Sequence, residues 1–264
     1  MVQRAYGHPI SDTPERARIV VAARDEIGSR ARQLVLSLPL RPMDLDVISE
    51  IGEFIAGVVA TGMRDDVAAI ALVDRGENPA HRRRLAHDAA TVLRRTRKPV
   101  LLAVGECPTE TGGSLLVAME GCARPAETVA PSVEAFSDLS AAEVVVLSVA
   151  KPFHPLFSRV AIGMRSERRT AIRQIHEAQV CEAETDALRL CENLRNSGAK
   201  AWAVGRVGRF VSELAAIVRS SGCSLVCVPL GESQAAQERR TRSLLDQLLE
   251  RVETPVLLLP VARR

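Results

Sequence analysis

Aromatic side chains are scarce in this chain: 3% of 264 residues, with a single Trp and a single Tyr. Its cores must therefore be built from Val, Leu, Ile and Ala, which suits buried parallel sheets and leaves few platforms for stacking nucleic-acid bases. Neither sign of charge dominates, the net being +3. Basic residues cluster at 82–84, 94–98 and 239–242 on segments that read as helices. Solvated helix faces are the expected reading of these clusters, and no specific nucleic-acid partner is expected. No apolar run approaches the roughly eighteen residues that a membrane span requires. The first residues lack the apolar stretch of a signal peptide and read as a polar tail over 1–16. The six cysteines form no CxxC pair; Cys223 and Cys227 share one side of a strand, so structural thiols in a reducing, cytoplasmic compartment are expected. The five histidines form no ligand cluster, and no metal site is expected. GxSxG, HExxH and the P-loop lysine motif are all missing, so no catalytic residues are assigned.

What the chain does have is an internal repeat. Near its end, the apolar run Leu225–Leu230 stops at Gly231, a charged helical segment follows, and Pro255 opens a second apolar run to Leu259. Leu244, Leu245, Leu248, Leu249 and Val252 recur at helical spacing between the two runs, which gives a strand–helix–strand unit. The stretch 66–104 repeats it. Gly76 and Gly231 are each followed by Glu, and the proline comes 23 residues after the glycine in one copy and 24 in the other. Two related α/β units in tandem follow from this repeat.

In chain order, Ala17–Ala23 reads as a strand, Gln33–Leu40 as a second strand, and Met43–Met63 as one long helix. The repeat unit then closes a half spanning 17–105, one strand–helix pair short of the second. A polar stretch, 106–113, is the natural linker. The second half, 114–264, reads as strands at Ser114–Met119, Glu143–Val149, Ala201–Gly205, Leu225–Leu230 and Val256–Leu259. Helices over Ala123–Leu139, Thr170–Asn196, Phe210–Arg219 and the Leu-rich segment alternate with them, and Lys151–Arg169 reads as an irregular loop. Two tandem doubly wound parallel-sheet domains are therefore expected.

These segments carry a resemblance to a known family. LLVAMEGC at 115–122, EVVVLSV at 143–149, the stretch 204–231 ending SLVCVPLG, and the closing ETPVLLLP resemble the universal stress proteins in order and spacing, over 114–261 and again over 66–104. The resemblance implies a universal stress protein-like, adenine nucleotide alpha hydrolase-like fold. It also implies the strand order three-two-one-four-five in the second half, and last strands that pair across a domain interface. Val100–Val104 and Val256–Leu259, both apolar and without edge charges, are expected to cover each other or their copies in a second chain.

The family's phosphate loop, G-x2-G-x9-G-[ST], works because glycine backbones approach phosphate oxygens and lead into a helix N-terminus. Laid on this chain, its positions fall on Pro229, Glu232 and Arg242-Ser243, and Gly231 is the only glycine in the loop. In the first half Gly76 stands alone beside Glu77, with His87 near the last position. The strand-one aspartate of nucleotide-binding members corresponds to Glu120 here, with Cys122 in place of serine; in the first half the corresponding region reads Arg24-Asp25. The candidate nucleotide site is Glu120, Gly121, Val149, Gly208, Gly231, Arg242 and Ser243. The expectation is a non-catalytic regulatory protein of the stress response with a degraded loop and no cofactor, acting through homodimerisation or unknown protein partners. The alternative is an ATP or AMP sensor in which Arg239, Arg240 and Arg242 replace glycine N–H groups, against the simpler reading of arginines paired with Glu238, Asp246 and Glu250. A third reading is a hydrolase of a related α/β fold with Cys122 as nucleophile.

Overall fold

The computed structural model describes residues 18–23, 28–40, 44–48, 54–74, 78–104, 114–121, 126–137, 143–152, 165–231 and 238–261. The tail 1–16, the linker 106–113, Asp25, Gly76, Glu77, Cys122 and Glu232 lie outside the described residues.

The first half runs β1 (Arg18–Ala23), α1 (Gly28–Ser37), β2 (Asp44–Ile48), α2 (Phe54–Gly62), β3 (Val67–Asp74), α3 (Pro79–Thr96) and β4 (Val100–Val104). Two readings of this half are corrected. Gln33–Leu40 is not a strand: residues to Ser37 belong to helix α1, because Ala31, Leu34, Val35 and Leu38 bury one helical stripe while Leu36 stays 64% exposed. Nor is Met43–Met63 one helix. Asp44-Leu45-Asp46-Val47 alternates polar and apolar with period two, and this segment pairs in parallel with β1, Arg18 opposite Asp44 through Ala22 opposite Ile48. Only Phe54–Gly62 is helical, as α2.

The second half follows the expected alternation: β5 (Leu115–Glu120), α4 (Ala126–Phe136), β6 (Glu143–Ala150), α5 (Arg165–Asn196), β7 (Lys200–Val207), α6 (Phe210–Ser221), β8 (Leu225–Gly231), α7 (Glu238–Arg251) and β9 (Val256–Val261). Helix α5 begins at Arg165, so the end of the expected loop 151–169 is already helical. Close packing of α5 on β7 needs Gly205, where a Cβ would fall 2.6 Å from the backbone nitrogen of Glu184.

The nine described strands form one sheet in the order β2-β1-β3-β4-β9-β8-β5-β6-β7. The second half thus has its first strand flanked by its second and fourth, the three-two-one-four-five order. The first half has the same order without a third strand. Every pairing is parallel but one: β4 and β9 run antiparallel, with Val100 opposite Leu258, Leu101 opposite Leu257 and Leu102 opposite Val256. The two parallel halves implied by the repeat are both present, and this pair joins them into one sheet rather than leaving two. All six side chains are at most 1% exposed. Full burial of such aliphatic side chains stabilises by about 1.5–3 kcal/mol each, so the junction is as much core as either half.

Helices cover both faces. One core gathers side chains of α1, α4 and α5, among them Leu34, Val129 and Leu190. The other gathers α2, α3, α7 and α6, including Val58, Leu93, Leu248 and Leu214. On that face α3 and α7 meet over the junction, where Arg82 Nη1 donates to the Leu249 carbonyl at 3.0 Å. Helix α3 starts on Pro79 behind an Asn78 cap, whose side chain accepts from the His81 N–H at 3.0 Å. None of the described helices is long and apolar enough to cross a membrane.

Candidate functional site

In an open α/β sheet, ligands bind beyond the carboxyl ends of the strands where the strand order reverses. In the second half that point lies between β5 and β8, and a cleft of about 640 Å³ opens there. Five segments meet in it: the end of β5 with Glu120, the residues after β6 with Lys151, the turn from β7 into α6 with Gly208 to Ser212, the end of β8 with Leu230, and one side of α7.

Its chemistry is one-sided. Among the described residues, Lys151, Arg209, Arg240 and Arg251 line it against one carboxylate, Glu120. Glu120 Oε1 lies 3.3 Å from Lys151 Nζ, and Arg251 Nη1 donates to Ser212 Oγ at 3.0 Å. Thr241 is 2% exposed, and the next lining residue, Ser243, accepts at Oγ from Gln247 Nε2 at 3.3 Å. Phe210, Val211, Leu230 and Leu244 supply the apolar wall. Helix α6 directs its N-terminus here. Its capping residue Arg209 makes no side-chain capping bond, and Glu213 in the first turn offsets part of the positive charge of that helix end. The arrangement favours an anion.

Three of the seven candidate residues line the cleft: Glu120, Gly208 and Ser243. Two frame it through the backbone. Gly121 holds a left-handed φ of +63°, and its N–H donates at 2.8 Å to the carbonyl of Val149, whose side chain is buried. Gly208 donates in the same manner to the Ala150 carbonyl at 3.0 Å, and a Cβ there would meet Glu213 Oε1 at 2.5 Å. Gly231 ends β8 opposite Val261, one residue beyond the lining Leu230. Arg242 is exposed on α7 and is not among the lining residues; Arg240 is. Lys151, Arg209 and Arg251 were not legible as site residues. The available signal was position, since Lys151 directly follows β6 and Arg209 lies two residues beyond β7.

At the corresponding strand end of the first half, Asp74 closes β3 with His81 Nδ1 3.6 Å away. The described thiols do not serve the cleft. Burial pushes Cys191 up to about 11 and Cys227 up to about 12, and raises Cys223 as well, so all three stay protonated at neutral pH. Cys181 is exposed on α5. Among the described residues no group of His, Cys, Asp and Glu could hold a metal ion.

No protein-family model matches the sequence, and no curated protein matches it. Solved structures do. A functionally unknown protein from Pseudomonas aeruginosa PAO1 superposes with a TM-score of 0.57 at 12% identity, over 96% of this chain and 95% of that one. A protein assigned to the universal stress proteins from Pseudomonas aeruginosa UCBPP-PA14 superposes with a TM-score of 0.50 at 14% identity, over 94% of each chain. A universal stress protein from Archaeoglobus fulgidus gives 0.47 at 12% identity, over 83% of this chain and 70% of that one. The likeness to the two Pseudomonas structures, which extends through both halves, gives the chain an α/β fold of the universal stress protein kind.

Proposed function

We propose that this chain is a non-catalytic regulatory protein of the universal stress protein type, cytoplasmic and acting in the stress response through association with itself or other proteins, with a phosphate loop that no longer holds a nucleotide. The observation that carries this reading is where the loop positions fall. Pro229 sits inside β8 opposite Leu259 and has no N–H to offer. Arg242 stands exposed on α7, outside the cleft, at the position where the family needs a bare backbone. Each charge-assisted hydrogen bond lost to phosphate costs roughly 1.5–3 kcal/mol. Two such losses take a micromolar site to about millimolar. A homodimer would have to use a surface other than the last strands, since β4 and β9 already cover each other within the chain.

The cleft supports a second reading, an ATP or AMP sensor held by side-chain cations. Here Arg240 and Arg251 would take the role first given to Arg242. Calorimetric titration of ATP and AMP into the full chain decides between the two, together with chromatography of a denaturing extract for bound nucleotide. The first reading expects no bound nucleotide and no saturation below about millimolar ligand. Micromolar saturation that Arg240→Ala and Arg251→Ala abolish would replace it with the second.

A further inference from the structure

Helices α3 and α7, which pack together over the strand junction, are both rich in arginine. Between them they hold nine arginines against four carboxylates, a surplus of five in a chain whose net charge is only +3. Helix α5 on the opposite face serves as an internal control: it has six arginines and six carboxylates. Two of the α5 arginines are ion-paired within the helix, Arg173 with Glu177 at 2.7 Å and Arg189 with Asp186 at 3.7 Å. On α3 and α7, Arg83, Arg84, Arg95, Arg239 and Arg242 are all exposed, and among the described residues none of them is ion-paired. Pairing of the α7 arginines with Asp246 and Glu250 is not observed.

The helices themselves set the layout of this charge. Because β4 and β9 are antiparallel, the helices leading into them are antiparallel too, and the bond from Arg82 to the Leu249 carbonyl fixes their register. Arg83 and Arg84 therefore lie toward the end of α7 that carries Arg251, and Arg94 and Arg95 toward the end that carries Arg239 and Arg242. At about 1.5 Å per residue, α3 alone makes this a strip on the order of 27 Å long, with cations at both ends.

We infer that the α3–α7 face binds the phosphate backbone of a nucleic-acid duplex without reading its sequence. Arginine presents a planar fork that matches phosphate oxygens in pairs, and every exposed cation of the two helices is arginine. Neither helix carries Phe, Tyr or Trp on which an unpaired base could stack, so a duplex is favoured over a single strand. Among the described residues, the exposed large apolar side chains, Leu36, Met63, Ile172, Ile175, Leu188 and Trp202, all lie off α3 and α7. A lipid surface would gain no inserted anchor here.

The test is fluorescence anisotropy of a labelled duplex of roughly 20 base pairs with the full chain, from about 50 mM salt upward. Saturable binding is expected, its logarithm falling with the logarithm of salt by about 0.9 per phosphate neutralised. Arg83→Glu/Arg84→Glu/Arg95→Glu should weaken it by at least about tenfold and flatten the salt slope by roughly two to three. Arg239→Glu/Arg242→Glu should weaken it as well, and decides the matter should the triple variant fail a melting check. Arg173→Glu/Arg189→Glu on α5 should leave it within about twofold. The inference falls if the wild type shows no saturable signal at low salt, or if the α3–α7 and α5 variants behave alike. It falls equally if vesicles rich in phosphatidylserine bind more tightly than the duplex. Neither ATP titration nor Arg240 and Arg251 enters this test, so it stands or fails apart from the cleft.

Discussion

The two halves share one building unit and differ by one strand and one helix. Both keep the unit that carries a last strand: β3–α3–β4 in the first half and β8–α7–β9 in the second. These units meet at the antiparallel pair and make the sheet continuous. What the first half lacks is a counterpart of β7 and the turn that follows it. In the second half that turn supplies Gly208 and Arg209, and the start of α6 supplies Phe210 and Ser212, to the rim of the cleft. Losing this unit removes a binding rim while leaving the junction untouched. The comparison separates two roles: the repeated unit joins, the extra unit builds a site, and the shorter half extends and covers the sheet.

The largest expected effect tests the joining role. Leu101 and Leu257 face each other at the junction, each 1% exposed. Leu101→Asp places a carboxylate without a partner in that core, a change expected to cost more than about 4 kcal/mol. Because the two halves share the sheet, both should be lost together. In urea, far-ultraviolet dichroism and the reactivity of Cys191 and Cys227 should follow a single transition, in the wild type and, shifted far down, in the variant. A variant whose second half still melts separately at the wild-type midpoint would show the halves to be independent and would break the comparison.

The second half was largely legible in the sequence because its strands are buried on both faces and read as unbroken apolar runs. The first half misled where local pattern was ambiguous. The stretch QLVLSLPL has the length and apolar density of a strand, yet its buried residues fall at 34, 35 and 38 and continue from Ala31 as a helical stripe. The following DLDVI sits inside an apolar spacing that also fits a helix, but its period-two alternation is that of an edge strand, and β2 is an edge of the sheet. The cleft was half legible. Glycine and the strand-end acid have local signatures, so Glu120 and Gly208 could be named; Lys151 and Arg251 reach the same space only through the tertiary fold. Loop spacing does not say which side of α7 a residue occupies, and Arg242 lies off the lining of the cleft.

A middling effect sharpens the contrast through thiols, since all six cysteines follow β4 in the chain. Cys191 and Cys227 are held neutral by burial up to about 11 and about 12, against 9.0 for a free thiol. Below pH 9 they are protonated whether the chain is folded or not and do not affect stability. Above it the unfolded chain ionises them and the folded chain does not, so the unfolded state binds fewer protons and stability falls with rising pH. Each thiol contributes at most about 1.4 kcal/mol per pH unit in that window. Urea midpoints followed from pH 8 to about 10.5 should drop more steeply for the wild type than for Cys191→Ala/Cys227→Ala. Parallel curves would place the alkaline sensitivity in other groups.

The smallest expected effect compares two helix ends. After α6 the chain turns through Gly222 at φ 60°, ψ 31°, and its N–H caps the Val218 carbonyl. After α3 the same left-handed turn is made by Arg97 at φ 54°, ψ 22°, capping Leu93. A residue with a Cβ pays roughly 1–2 kcal/mol in this conformation, where glycine does not. Glycine in turn gives up about 0.5–1 kcal/mol through the greater freedom of its unfolded chain. Arg97→Gly should therefore stabilise by about 0.5–1 kcal/mol, and Gly222→Ala should destabilise by a similar amount, both read as urea midpoints at unchanged slope. Open space surrounds the Cβ position at Gly222, so a loss there reports backbone conformation and not a clash. If Arg97→Gly instead lowers the midpoint, its exposed side chain stabilises the first half by more than the turn strains it, and the two caps are not equivalent.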